Sequence, residues 1–299
     1  MAIYNLGSIN ADNEYRVPHL VAPGETLAAT DLTQGLGGKG ANMSVAAARA
    51  AAHVVHIGAV GSDGRWASER LLEYGVDTRH ISVVSGATGH ANICVDADGE
   101  NAIVLFAGAN HAITESAIGT ALAEASAGDT FVTQNETNGQ AFAAQTAKSL
   151  GLKVVYAAAP FDAEAVRAVL KHIDLLVLNA VEAAQLAQET GTNLEDLGVD
   201  DIVVTQGSKG STWYHAGHDP QMFPAPKVEP VDTTGAGDTF TGYLIAGLDR
   251  GMPMAQALSH ATQAAAIMVT RVGTADVIPD LKDLEDARLG WCVMRFSFR

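Results

Sequence analysis

Leu175-Leu176-Val177-Leu178-Asn179 and, after a helix-competent run holding Glu182, Ile202-Val203-Val204-Thr205 carry the plainest architectural signal in this chain. Each apolar run is too short for a buried helix and shows no apolar–polar alternation. That pattern predicts a strand covered on both faces. Two such strands joined by a helix form a parallel pair. The unit repeats upstream: helical patterns at 115–125, 138–149 and about 163–171 alternate with Thr130-Phe131-Val132-Thr133 and Lys153-Val154-Val155-Tyr156. Residues 2–7 and Val54-Val55-His56-Ile57 read as further strands, the first ending at Gly7. The alternation predicts an α/β fold, a doubly wound, mostly parallel sheet with helices on both faces. Such sheets bind ligands at the carboxyl ends of their strands. Polar residues recur there, at Asn10, Glu136, Asn179 and Thr205.

Two segments interrupt the alternation. Residues 13–36, with Pro18, Pro23 and Gly24, suggest short strands outside the main sheet. Residues 90–107 form a hairpin pattern around the turn Asp96-Ala97-Asp98-Gly99-Glu100-Asn101. Together they predict a small β lid, at about 12–36 and 87–108, inserted into one domain spanning 1–299. Asp63–Tyr74 reads as a helix stopped by Gly75, and 211–230 as antiparallel strands. His215 and His218 are either a metal pair or part of a solvated loop, with no third ligand nearby in sequence. Helices are expected at about 237–249 and 254–270, with a last polar helix after Pro279. The tail from Gly290 to Arg299 is apolar and basic, unlike what precedes it.

The bulk composition narrows the function. The 299 residues are 47% hydrophobic and carry a net charge of −16, with no basic block to offset it. That argues against nucleic acid or an anionic membrane as a partner. A nucleotide would have to be held by local features such as helix starts, a few lysines and Mg²⁺. Cys94 and Cys292 match no metal spacing, and a reducing cytoplasm is the expected setting. No run is long and apolar enough to span a bilayer, and no basic n-region precedes Ile3.

Asp232-Thr233-Thr234-Gly235-Ala236-Gly237-Asp238 runs into the apolar, helix-competent Thr239-Phe240-Thr241-Gly242-Tyr243. A glycine-rich turn opening onto a helix start offers unpaired N–H groups and the positive end of the helix dipole to an anion. Asp238 would repel that anion unless its task is to take a proton, so it is either a general base or a helix cap. Gly37-Gly38-Lys39-Gly40-Ala41-Asn42 is a second glycine-rich turn before a helix. Gly35, Gly37 and Gly40 fit the dinucleotide spacing, but the next strand ends in no acidic residue to hold a ribose hydroxyl. Gly40 follows Lys39 where a Walker A loop has Ser or Thr. What remains suits a polyol. Asn10 and Asp12 either bind such hydroxyls or form an Asx turn.

Residues 37–42 and 232–238 resemble the two signatures of the ribokinase-like (PfkB) carbohydrate and nucleoside kinases. Gly7-Ser8-Ile9-Asn10-Ala11-Asp12 is similar to the opening of members that act on ribose. The resemblance covers about residues 3–288. It implies transfer of the γ-phosphate of ATP to a primary hydroxyl of a pentose, with D-ribose expected, and a homodimer formed through the lid. Asn10, Asp12, Gly38, Lys39, Asn42 and Glu136 match sugar-binding positions. Asp238 matches the catalytic base, and Gly235, Ala236 and Gly237 the anion hole. Asn179 and Glu182 match positions associated with phosphate and Mg²⁺. Thr205, Gly207, Ser208 and Gly210 match the nucleotide loop, and Thr262 a position near the adenine. Asp232 and Thr234, with carbonyls around Met268, Arg271 and Gly273, match a monovalent-cation site. Val277 departs from it, standing where members offer a serine oxygen to K⁺. Ala51 replaces a usual glycine, and Asn135 a usual apolar residue beside the sugar. The alternatives are a nucleoside or other sugar as acceptor, or a catalytically silent sugar-binding regulator on the same fold.

Overall fold

The computed structural model describes residues 1–287; the apolar, basic tail and Cys292 lie outside the described residues. The main sheet has nine strands. The strand β1 (Ala2–Leu6) stands third from one edge, with β4 (His53–Val60) and β5 (Asp77–Val83) extending the sheet on that side. On the other side lie β8 (Thr130–Gln134), β9 (Lys153–Ala157), β10 (Leu175–Asn179) and β11 (Asp201–Thr205). All of these pair in parallel. The antiparallel strands β12 (Ser211–His215) and β13 (Gln221–Phe223) close that edge.

Alternating side chains send each central strand into two cores. Ile3, Val54, Val132, Val155 and Val203 pack on one face. They meet α1 (Lys39–Arg49), α7 (Ala236–Asp249) and α8 (Met254–Met268). Tyr4, Leu6, Val55, Ile57, Phe131 and Tyr156 fill the other face. There they meet α3 (Glu115–Leu122), α4 (Gln140–Ser149), α5 (Ala163–Val169) and α6 (Ala180–Thr190). The doubly wound sheet is therefore as the apolar runs imply.

A second sheet has the order β3-β2-β6-β7. It comprises β2 (Asn10–Arg16), β3 (Asp31–Gly37), β6 (Gly89–Val95) and β7 (Asn101–Phe106). Three residues separate the end of β1 from β2, so this sheet grows directly from the C-terminal edge of the main one. All six residues of β7 are exposed.

Several details differ from the sequence expectation. The helix at 63–74 begins as a 3₁₀ turn over Ser62–Gly64 and continues as α2 (Arg65–Glu73). The strand β5 matched no sequence signal, because Asp77, Arg79 and His80 break its apolar pattern; it lies at the sheet edge, where polar side chains reach water. Ala51, just past α1, takes the left-handed conformation at φ 63°, which accounts for glycine elsewhere at that position. Among the described residues no helix is long and apolar enough to cross a membrane.

Candidate active site

Four chain segments meet at the C-terminal edge of the main sheet: the exits of β1 and β8 and the starts of α1 and α7. The β1 exit meets α1 through glycine. A Cβ on Gly40 would lie 2.4 Å from the Gly7 and Ser8 backbone, so only glycine lets the two segments touch. Ser8 then bonds in both directions. Its hydroxyl donates to the Glu136 carboxylate and accepts from the Gly40 N–H at 3.2 Å. The Lys39 N–H donates to Glu136 Oε2 at 3.0 Å, which leaves Oε1 for another partner. Asp12 reaches the same cleft from β2. A Cβ on Gly37 would fall 1.9 Å from Asp12 Oδ2, so that glycine makes room for the carboxylate.

Asp238 stands in the first turn of α7. The N-cap there is Gly235 at φ 72°, without a side-chain cap bond, so the helix-cap reading of Asp238 does not hold. Its buried Oδ2 accepts from Asn42 Nδ2 at 3.0 Å. Residues 196 apart in sequence thus share one hydrogen bond. Asn42 Oδ1 is buried with no protein partner.

The charges interact strongly. Burial first, then Glu136 and Asp238, push the Asp12 carboxyl up to about 7. Burial raises Asp238 as well, and Glu136 adds to this; Lys39 and the Asn42 bond act against it. Lys39 is held protonated chiefly by Asp238, against its own burial, with help from Glu136 and Glu182. Glu182 is raised by burial and feels both Lys39 and Asp238, which places it at the same cleft.

A cavity of about 640 Å³ adjoins this cleft. Ala236 and Gly237 form one wall, immediately before Asp238. Thr205, Gly207, Ser208 and Gly210 form another, and Thr262 a third. The Thr262 hydroxyl is buried without a protein partner. The Ala236 N–H is engaged by Thr233 O at 3.3 Å. The next helical N–H groups, of Gly237 and Asp238, have no partner inside a helix start. A buried carboxylate on one side of a helix turn and a mostly apolar cavity on the other leave room for two ligands side by side.

Other expected site residues are placed less centrally. Asn10 is buried, and its Oδ1 accepts from Asn110 Nδ2 at 2.8 Å. Asn110 also accepts the Ile9 N–H at 2.9 Å, so it anchors the start of β2. Gly38 is the N-cap of α1. Asn179 and Glu182 make a capping box on α6: Asn179 Oδ1 accepts from the N–H groups of Val181 and Glu182, and Glu182 Oε2 from that of Asn179. Asn135 turns away and donates to Pro160 O at 2.9 Å. His215 donates to Asp201 at 2.8 Å and stacks on His218. Among the described residues no group of three His, Cys, Asp or Glu could hold a metal.

The expected monovalent-cation donors form a separate cluster. Asp232 Oδ1 accepts the Thr234 N–H at 2.9 Å and Oδ2 that of Gly273 at 3.2 Å. The Met268 carbonyl accepts the Arg271 N–H at 3.0 Å. The side chain of Val277 faces Gly273 with carbon only.

Sequence reasoning did not single out Ser8, Gly37 or Asn110 as site residues. Ser8 and Asn110 each act on partners about a hundred residues away, which no local spacing reveals.

The doubly wound sheet and this cleft are those of a carbohydrate kinase, and the chain belongs to the pfkB family of carbohydrate kinases, whose profile matches residues 3–281. Among curated relatives, ribokinase of Haemophilus influenzae is 37% identical over 289 residues, covering 92% of this chain and 94% of its own length. Ribokinase of Staphylococcus aureus is 32% identical over 93% of this chain and 97% of its own. Two solved structures are similar. One is ribokinase of Cryptococcus neoformans in complex with ADP, at 33% identity and a TM-score of 0.81, covering 96% of this chain and 99% of its own. The other is Arabidopsis thaliana ribokinase complexed with ribose and ATP, at 28% identity and a TM-score of 0.82, covering 95% and 97%.

Proposed function

We propose that this protein is an ATP-dependent sugar kinase that transfers the γ-phosphate to a primary hydroxyl of a pentose, O5 of D-ribose. The observation that carries the reading is Asp238, buried at a helix start between the Asn42 carboxamide and the cavity wall at Gly237. Glu136 Oε1, Asp12, Lys39 and Asn42 offer acceptors and donors to sugar hydroxyls. Asp238 takes the proton from the attacking hydroxyl; burial makes it a stronger base than a free aspartate. The N–H groups that open α7 meet the charge developing on phosphate. The 640 Å³ cavity, with the orphan Thr262 hydroxyl, holds the nucleotide. The curated ribokinase relatives support ribose as acceptor.

Asp238, Glu136 and Glu182 act on one lysine, Lys39, and Asp12 lies beside two of them, so a triphosphate needs a further cation. Mg²⁺ binds through one or two carboxylates plus substrate phosphates rather than in an all-protein cage, and Glu182 Oε1 fits that demand. Bound Mg²⁺ would neutralise charge on the phosphates. The donor set at Asp232 and Gly273 fits a monovalent cation poorly, because Val277 offers no oxygen and both Asp232 oxygens and the Met268 carbonyl already accept N–H groups. We place the enzyme in a reducing cytoplasm, as a homodimer through the second sheet, which acts as a lid over the sugar.

The test is ADP release across ribose, deoxyribose, fructose, adenosine, cytidine and pseudouridine. Ribose is expected to give the highest kcat/KM. Asp238→Asn should lower kcat by about 10²–10⁴, the usual worth of a general base. A wild-type chain that binds ribose but releases no ADP would identify a silent regulator instead.

A further inference from the structure

Three adjacent strands carry a polar side chain where the rest of the same face is apolar. On β1 the face that packs on α1 reads Ile3, Asn5; on β4 it reads Val54, His56; on β8 it reads Val132, Gln134. Asn5 lies opposite His56 in the β1–β4 register. Ser44 comes down onto them from α1. Asn5 and His56 are 0% exposed, and Ser44 and Gln134 1%, so water cannot satisfy any of the four.

Their bonds run in one direction. The Gly7 carbonyl can only accept, so His56 Nε2 carries the proton and donates to it at 3.1 Å. Nδ1 is then the acceptor, and the Ser44 hydroxyl donates to it at 2.8 Å. Burial holds the His56 imidazole down to about 4, in keeping with a neutral ring. Asn5 Nδ2 donates to Ser44 Oγ at 2.8 Å and to the Gly40 carbonyl at 2.8 Å. Asn5 Oδ1 accepts from Gln134 Nε2 at 2.8 Å. The tautomer follows from the carbonyl, and the remaining donors and acceptors of Asn5 and Ser44 follow from it.

The chain ends on the segments that bear the acceptor pocket. Gly7 immediately precedes Ser8. Gly40 lies between Lys39 and Asn42. Gln134 precedes Glu136 by two residues. An apolar core would fill the same volume but impose no direction, because hydrophobic contact is non-directional. Here a hydrogen-bond chain fixes how far the β1 exit, the β8 exit and the α1 start stand from one another. A shift of 1 Å at a binding site can cost about 100-fold.

We infer that Asn5, Ser44 and His56 are positioning residues, which set the register between the ends of β1, β8 and α1 and thereby the affinity of the acceptor pocket. The inference rests on the proposed reading of that pocket as the sugar site. It predicts a split between the two substrates, because the nucleotide cavity is lined by β11, α7, α8 and the loops at 207–210 and 225–233, and none of Asn5, Ser44, His56 or Gln134 lines it.

The experiment compares wild type with Ser44→Ala, His56→Phe and the double variant, with Ser44→Thr as the conservative control that keeps the hydroxyl. Removing both partners of a buried bond leaves fewer orphan groups than removing one, so the double variant is the one best placed to fold. Thermal melts and binding of an ATP analogue verify the fold. Ribose affinity is measured by calorimetry, and KM for ribose and for ATP by ADP release. The expected result is a ribose KM and Kd raised about 10-fold. KM for ATP, and kcat at saturating ribose, stay within about twofold, with Ser44→Thr near wild type. Unchanged ribose binding in folded Ser44→Ala and double variants overturns the inference, as does an equal rise for ribose and ATP. A wild-type chain that neither binds nor phosphorylates a pentose is a different result: it overturns the acceptor reading and this inference with it.

Discussion

Asp12 shows how one residue can set a pH dependence. Its carboxyl stands near 7 because burial, then Glu136, then Asp238 oppose its ionisation. In the folded chain it keeps a proton between about pH 4 and 7 that the unfolded chain has already released. The folded state therefore binds more protons across that window, and this group makes stability fall as pH rises through it. The effect on catalysis has the opposite sign. An ionised carboxylate is the better acceptor for sugar hydroxyls, so kcat/KM for ribose should rise with pH to a plateau, with a midpoint near 7. Glu136→Gln should move that midpoint to lower pH, because of the two neighbouring carboxylates Glu136 acts the more strongly on Asp12. Asp12→Asn should abolish the inflection at a lower overall rate. A pH profile of kcat/KM that keeps its midpoint near 7 in Asp12→Asn would assign the titration to another group.

The segment that follows α8, through the helical turn at Ala275–Val277 to Ile278, carries the second consequence. Its carbonyls at Asp276, Val277 and Ile278 each accept from an arginine. Arg49 serves Asp276 O at 3.2 Å and also Ile278 O, and Arg271 serves Val277 O at 3.0 Å. Arg49 and Arg70 stack on the Tyr74 ring, and Arg70 and Tyr74 both bond Asp276 Oδ1. Guanidinium groups thus order a loop that a small cation would otherwise help to order, and Val277 takes away one oxygen from any such cation. Replacing K⁺ by tetramethylammonium at constant ionic strength should change kcat/KM by less than about twofold. A tenfold loss in steady-state assays would show that the remaining carbonyls suffice for a cation site. Elements of this kind also mark how much was legible in the sequence. The strands were readable because burial on both faces leaves a continuous apolar run, as in Leu175–Leu178. β5 was not, because an edge strand needs no such run. The turn at 232–238 was legible as a glycine-rich helix start, but that Gly235 rather than Asp238 caps it, and that Asp238 meets Asn42, a partner 196 residues away, was not. Asn5 and His56 were visible only as odd residues in apolar strands. Their partnership depends on strand order, which local spacing does not encode.

At the level of the whole molecule, the second sheet is the least self-sufficient part. Asp12 lies on β2, inside this sheet, so the sugar site depends on how the sheet is held. Its far edge, β7, exposes Ile103, Val104, Leu105 and Phe106 at 53%, 68%, 62% and 51%, in an unbroken apolar row. An exposed apolar edge strand offers unpaired N–H and C=O groups together with apolar surface, and proteins normally cover or charge such edges. A second copy of this chain would cover the row with an identical one, as a two-fold interface requires. The proposed dimer therefore does two things at once: it buries β7, and it stiffens the sheet that carries Asp12 to the sugar. Val104→Glu places a charge at the most exposed position of the row, on a strand that contributes no residue to the nucleotide cavity. In sedimentation or light scattering it should convert a dimer to a monomer. KM for ribose should then rise several-fold, while KM for ATP stays within about twofold, because loosening the sheet relaxes Asp12 and leaves α7 and α8 untouched. A wild-type chain that is monomeric at micromolar concentration would remove the interface, and a monomeric variant with unchanged ribose KM would separate the interface from the sugar site.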